Sequence, residues 1–171
     1  MKDYEHITDD DAFSRLVGRL SSTVAADIEG ELNLHVYGER FCLLQLYDGE
    51  TAAVVDPMAV SIPMIKELLE DRNTAKIFYD AASDRTLLYK AHGILMRGDV
   101  DLKPAVELLE FEKQGLDSVL NEVLGIEPPA STKRYQQYNW TKRPISPEAV
   151  DYALRDVLYL YALKDELYAR L

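Results

Sequence analysis
At 171 residues, with 47% hydrophobic and 29% charged content, the chain has the composition of one ordinary globular domain. A net charge of −11 works against nonspecific binding of long nucleic acid, which needs a basic surface. No apolar run reaches the ~18 residues of a membrane-spanning helix. The acidic start MKDYEHITDDD lacks a secretory layout and the single cysteine, Cys42, cannot form an internal disulfide, so a cytoplasmic protein without a membrane role is expected.

In chain order, Asp9 or Asp10 can cap a first helix carrying Phe13, Leu16, Val17 and Leu20 at helical spacing. Strand-like runs follow at Thr23–Ile28, Leu32–Tyr37 and Phe41–Tyr47, with Gly38-Glu39-Arg40 as the turn between the last two. Asp48-Gly49-Glu50 is a further turn before a short strand, Ala52–Asp56, so this part reads as an antiparallel meander. Ser61–Asp71 is helical with Pro63 in its first turn, Lys76–Tyr79 is a short strand, and Ala81–Ala91 is a helix ending at Gly93. Val100–Leu102 is extended, and Lys103–Glu110 and Gly115–Leu124 are helical. Gly125 to Pro144 reads as an ordered loop with room for one short helix. Ser146-Pro147-Glu148 places Ser at an N-cap and Pro at the first helical position, opening helix to Leu171 with or without a kink. A meander followed by alternating strands and helices gives a mixed α/β sheet with helices on its faces.

The chemistry-bearing stretch is Val24-Ala25-Ala26-Asp27-Ile28-Glu29. Small and β-branched residues suit a strand buried on both faces, and residues i and i+2 of a strand point to one side, so Asp27 and Glu29 project together. Two like charges losing hydration need compensation, and a divalent cation is the simplest source. Asp84 follows the strand Lys76–Tyr79 and overhangs the same sheet edge if that strand neighbours the one carrying Asp27. Tyr152 and Asp156 are four apart on the last helix and share a face. Such an all-oxygen set suits Mg²⁺ or Mn²⁺ over Zn²⁺, and His6, His35 and His92 are scattered. Each residue also has a structural reading: Asp84 as a helix cap, Asp156 as a solvated charge, Tyr152 as helix packing.

Asp27-Ile28-Glu29, Tyr79-Asp80-Ala81-Ala82-Ser83-Asp84 and Tyr152-Ala153-Leu154-Arg155-Asp156 resemble the three motifs of the DEDDy 3′–5′ exonucleases, and the RNase D branch above all. Phe41-Cys42-Leu43-Leu44-Gln45-Leu46, Lys76-Ile77-Phe78, Gly115-Leu116 and Asn139-Trp140-x-x-Arg143-Pro144-Ile145-Ser146 carry the likeness between them. It spans roughly Val24 to Leu171. Two positions depart from the family's phrasing: Tyr79 stands where His is frequent, and Asn139 where Asp usually precedes Trp140.

The resemblance implies an RNase H-like fold, a mixed five-stranded sheet of meander then parallel strands, flanked by helices. It implies a single exonuclease domain over 1–171 with no HRDC-like accessory domain. It also implies two divalent ions, Mg²⁺ or Mn²⁺, with Asp27 bridging, Glu29 and Asp156 completing one site and Asp84 supporting the other. Tyr152 would orient the attacking water, and nucleoside 5′-monophosphates would leave from the 3′ end of single-stranded RNA or short oligonucleotides. Lys133, Arg134 and Lys142, interleaved with Tyr135 and Tyr138, suit single-strand binding or a solvated loop equally. Trp140 could be a base-stacking platform or a packing anchor, and Arg143 a phosphate contact or a brace. Oligomerisation could assemble a basic patch. The alternatives are a 3′–5′ DNA exonuclease and a nuclease-like module that binds nucleic acid or protein without cleaving.

Overall fold
A computed structural model describes residues 3–130 and 132–171. In chain order the elements are β1 (Tyr4–Ile7), α1 (Asp10–Arg19), β2 (Thr23–Leu32), β3 (Glu39–Tyr47), β4 (Ala52–Val55), α2 (Ile62–Glu70) and β5 (Ala75–Phe78). Then come α3 (Ala82–His92), β6 (Asp99–Asp101), α4 (Lys103–Leu108), α5 (Leu116–Leu124), α6 (Thr132–Gln136), α7 (Pro147–Leu158) and α8 (Leu160–Arg170). The strands form one sheet in the order β1-β4-β3-β2-β5-β6. β2, β3 and β4 pair antiparallel, while β5 lies parallel to β2 and β6 parallel to β5.

Alternation along β2 builds two cores, one on each sheet face. Val24, Ala26 and Ile28 pack with Phe13, Leu16, Ile65 and Leu88 from α1, α2 and α3. Ala25 turns the other way, toward Val119, Ala149, Ala153, Val157 and Leu163 from α5, α7 and α8. The expected helix signals are in place: Asp9 accepts from Ala12 N–H at 2.7 Å, Gly93 closes α3 with φ 64°, and Ser146 caps α7 with Pro147 behind it.

The expected strand count of five is corrected: among the described residues the sheet has six strands. The added strand, β1, pairs parallel with β4 at the sheet edge and buries only Ile7 fully, so its side chains carry little apolar pattern. The expected strand Leu32–Tyr37 is a loop instead: β2 runs on to Leu32, and β3 starts at Glu39. The Glu31 carboxylate accepts the backbone N–H groups of Leu34 and His35, and Asn33 takes a left-handed φ of 64°. Those amides are satisfied locally and have no need of a neighbouring strand. The last helix is interrupted at Tyr159, between α7 and α8.

Candidate active site
β2 is held between β3 and β5, but its pairing with β5 covers only Thr23, Val24 and Ala25. Asp27 and Glu29 therefore stand just past the end of β5, on the face that Ala25 shares with α7. The β2–β3 ladder has a bulge between Glu29 and Gly30. A Cβ at Gly30 would lie 2.5 Å from Leu87 Cδ2, so the absent side chain lets α3 pack directly against β2. The start of α3 is set by Asp101, whose carboxylate accepts the N–H groups of Asp80 at 2.8 Å and Ala81 at 2.9 Å. Asp80 sits in the left-handed region at φ 57°, a conformation Asp tolerates better than most residues. This turn delivers Asp84 in the first turn of α3. From the other side, α7 buries Ala149, Val150, Ala153, Leu154 and Val157 and leaves Tyr152 and Asp156 half-buried.

Carboxylate oxygens of Asp27, Glu29 and Asp156 all come within 4.8 Å of one another. Asp84 lies outside that trio, yet its negative charge raises the pKa of both Asp27 and Glu29. Burial is the larger cause for each: both carboxyls are held well above the usual range by burial first, then by Asp156 and Asp84. Burial, reinforced by Asp80 and Asp101, pushes Asp84 up to about 7. Burial plus Asp117, partly offset by Arg155, does the same for Asp156, also to about 7. Burial and the neighbouring Asp156 raise the Tyr152 phenol, so it stays protonated at neutral pH. A cleft of about 300 Å³ opens over this group, lined by Asp27, Tyr152 and Asp156 together with Tyr79, Asp117 and Gln136. The donor set fits a hard divalent cation: among the described residues three carboxylates converge, with no His or Cys in the group.

Each residue singled out from the sequence has a definite place. Tyr152 stacks on the buried Tyr135, ring centroids 5.0 Å apart and 27° between planes. Lys133 and Arg134 are exposed on α6, whose Thr132 and Gln136 line the cleft. Tyr138 is half-buried, accepts from Ser146 N–H and packs on Trp140 at 4.6 Å. Of the two readings left open for Trp140 and Arg143, the structure supports the packing and bracing ones. Trp140 is 3% exposed, leaving no open ring face. The Arg143 guanidinium spends its five N–H donors on Asp56 twice and on the carbonyls of Cys42, Trp140 and Lys142. Both brace the loop before α7.

Three contributors were not singled out from the sequence. Gln45 donates toward Glu29, Asp117 lines the cleft in an ion pair with Arg155, and Asp101 holds the β5–α3 turn. Only Gln45 carries a sequence signal, as the one polar residue in the run Phe41–Leu46. An Asp in the first turn of a helix, like Asp117, reads as ordinary dipole complementarity.

The raised carboxyls predict an inverted pH response in the metal-free protein. A carboxyl whose folded pKa exceeds its unfolded value binds more protons folded, so stability falls as pH rises through that window. For Asp84 and Asp156 the window runs from 3.8 to about 7. The metal-free melting temperature should rise on acidification from pH 7 to pH 5, and saturating Mn²⁺ at pH 7 should remove most of that slope. Thermal melts with chelator and with Mn²⁺ across that range check it; a metal-free protein steadily less stable toward pH 5 would contradict it.

A mixed sheet whose central strand carries paired carboxylates just past the end of β5, facing a helix that adds Tyr and Asp one turn apart, has the architecture of an RNase H-like fold. The chain belongs to the 3′–5′ exonuclease family, which its sequence matches over residues 4–171. Ribonuclease D of Xanthomonas oryzae pv. oryzae is 31% identical over 137 residues, 79% of this chain and 37% of that protein. The chain spans less than half the length of the curated relatives it matches. The crystal structure of Escherichia coli RNase D, an exoribonuclease involved in structured RNA processing, superposes with a TM-score of 0.87 at 25% identity, covering 98% of this chain and 45% of that one. Brucella melitensis NrnC, solved with bound pGG and with bound Mg²⁺, gives a TM-score of 0.79 at 28% identity, covering 100% of this chain and 82% of that one.

Proposed function
We propose that this chain is a metal-dependent 3′–5′ exoribonuclease that removes nucleoside 5′-monophosphates from short, single-stranded oligoribonucleotides. The observation that carries the reading is the convergence of Asp27, Glu29 and Asp156, two of which, Asp27 and Asp156, line one cleft with Tyr152. Asp27, Glu29 and Asp156 would hold one divalent ion, and Asp27 with Asp84 a second, Mg²⁺ or Mn²⁺. Bound there, the ions supply Lewis-acid stabilisation of phosphorus-centred charge and a nucleophile at neutral pH. The Tyr152 phenol, still protonated, orients the attacking water from the α7 side. Tyr135 fixes the plane of that ring, and the Asp101-held turn fixes the approach of Asp84. The lone, buried Cys42 fits a reducing compartment such as the cytoplasm. No helix among the described residues is long and apolar enough to cross a membrane.

Short substrates follow from charge. Among the described residues no Lys or Arg lines the cleft, Arg155 is tied to Asp117, and Lys133 and Arg134 stand exposed on α6, whose Thr132 and Gln136 line it. Few phosphate contacts give a weak backbone grip and a shallow salt dependence. NrnC, bound to pGG, supports the same size class. The test is hydrolysis of RNAs and DNAs from two to about twenty nucleotides with Mn²⁺ or with chelator. RNA dinucleotides should turn over fastest and chelator should stop the reaction. Faster turnover of a twenty-mer with a steep salt dependence would overturn the length preference, and no metal-dependent hydrolysis of any substrate would overturn the activity.

A further inference from the structure
Within β3, the run Phe41–Leu46 carries one polar side chain, Gln45, and it is completely buried. It stands directly opposite Asp27 in the β2–β3 register, and so shares the sheet face that α7 covers. Its amide nitrogen lies 3.4 Å from Glu29 Oε1 and 3.3 Å from the Ala153 carbonyl oxygen. Its own Oε1 is buried without a hydrogen-bond partner among the described residues. Turning the amide over would set that oxygen against a carboxylate and a carbonyl, two acceptors, so the donating orientation is the one the surroundings permit. As packing alone this is a poor arrangement, because an orphaned buried carbonyl costs stability that a leucine of similar volume would not.

We propose that Gln45 is a positioning residue for the carboxylate site, holding Glu29 toward Asp27 and Asp156 and locking it to the α7 backbone. The inference rests on the metal-dependent reading above. By donating to one oxygen of Glu29, the amide fixes the side-chain torsions and leaves the other oxygen free for a cation. By donating at the same time to Ala153, next to Tyr152 and one turn before Asp156, it couples the β2 and α7 contributions to one geometry. Groups that orient the ligands of a metal are worth about 10- to 100-fold in metal affinity or activity.

The experiment titrates Mn²⁺ alone into the full chain as wild type, Gln45→Leu, Gln45→Met and Asp27→Asn, and melts each protein metal-free. Gln45→Leu should bind Mn²⁺ about 10- to 100-fold more weakly while its metal-free melting temperature holds or rises, because the orphaned oxygen is gone. Dinucleotide turnover should fall with the affinity and recover as Mn²⁺ is raised. A residue that only packs the sheet against α7 would leave Mn²⁺ affinity unchanged. Affinity within a few-fold of wild type in Gln45→Leu, or failure of both Gln45→Leu and Gln45→Met to fold, overturns the proposal. If wild type binds Mn²⁺ and Asp27→Asn does not, the site reading stands whatever Gln45→Leu does. If wild type binds none, the site reading and this inference fall together.

Discussion

Asp27→Asn should slow hydrolysis by about 10³-fold while leaving a folded and more heat-resistant metal-free protein. Burial, Asp156, Asp84 and Glu29 all raise the pKa of Asp27, so repulsion from three neighbouring carboxylates converges on it. The amide keeps the shape and removes the charge. Without a cation the change relieves the repulsion among the remaining groups, and the melting temperature should rise. With a cation the change removes a ligand charge that holds it. Metal stabilisation of developing charge is worth several kcal/mol, and at about 1.4 kcal/mol per tenfold a loss of ~4 kcal/mol is a rate deficit near 10³. Single-turnover cleavage of a dinucleotide, Mn²⁺ titration and metal-free melting measure the three effects separately. Full activity in the purified variant would remove Asp27 from the catalytic site. Asp156→Asn should behave alike, since Asp156 belongs to the same oxygen trio.

Why the convergence of the carboxylates was legible in the sequence and the bracing of Trp140 and Arg143 was not is a matter of distance along the chain. Asp27 with Glu29 and Tyr152 with Asp156 are paired by the periods of strand and helix, which operate over two and four residues. Asp84 needed one tertiary assumption, that its preceding strand neighbours β2, and β5 does pair with β2 in parallel. Arg143 is different. Its carboxylate partner, Asp56, is 87 residues away and the Cys42 carbonyl 101 residues away, so nothing local distinguishes a brace from a phosphate ligand. Trp140 likewise shows its burial only once the loop is folded against α7 and β3. The strand errors have a related cause. Leu32, Leu34 and Val36 alternate as a strand should, yet Leu32 and Leu34 are each 60% exposed, because the Glu31 carboxylate captured the amides first. At the sheet edge, β1 is held by backbone pairing to β4, an interaction that leaves almost no mark on side-chain pattern.

Tyr152→Phe should lower kcat by about 10²- to 10⁴-fold, the usual effect of losing a group that moves or orients a proton in the transition state. The substitution is a clean probe because of what surrounds the ring. Tyr152 stacks on Tyr135, and Tyr135 in turn packs on Tyr138, so a phenylalanine keeps the aromatic contacts and with them the position of α6 over the cleft. Only the hydroxyl leaves. Because burial and Asp156 keep that hydroxyl protonated at neutral pH, removing it changes no charge at the site, and Mn²⁺ affinity should stay within a few-fold of wild type. KM for a dinucleotide should move little, since an interaction made mainly in the transition state appears in kcat. The measurement is single-turnover cleavage at saturating Mn²⁺ by wild type and Tyr152→Phe, with metal affinity determined in parallel. If Tyr152 serves only to stack on Tyr135, the variant keeps nearly full activity; a large loss of kcat at unchanged Mn²⁺ affinity assigns the water-orienting role to the hydroxyl itself.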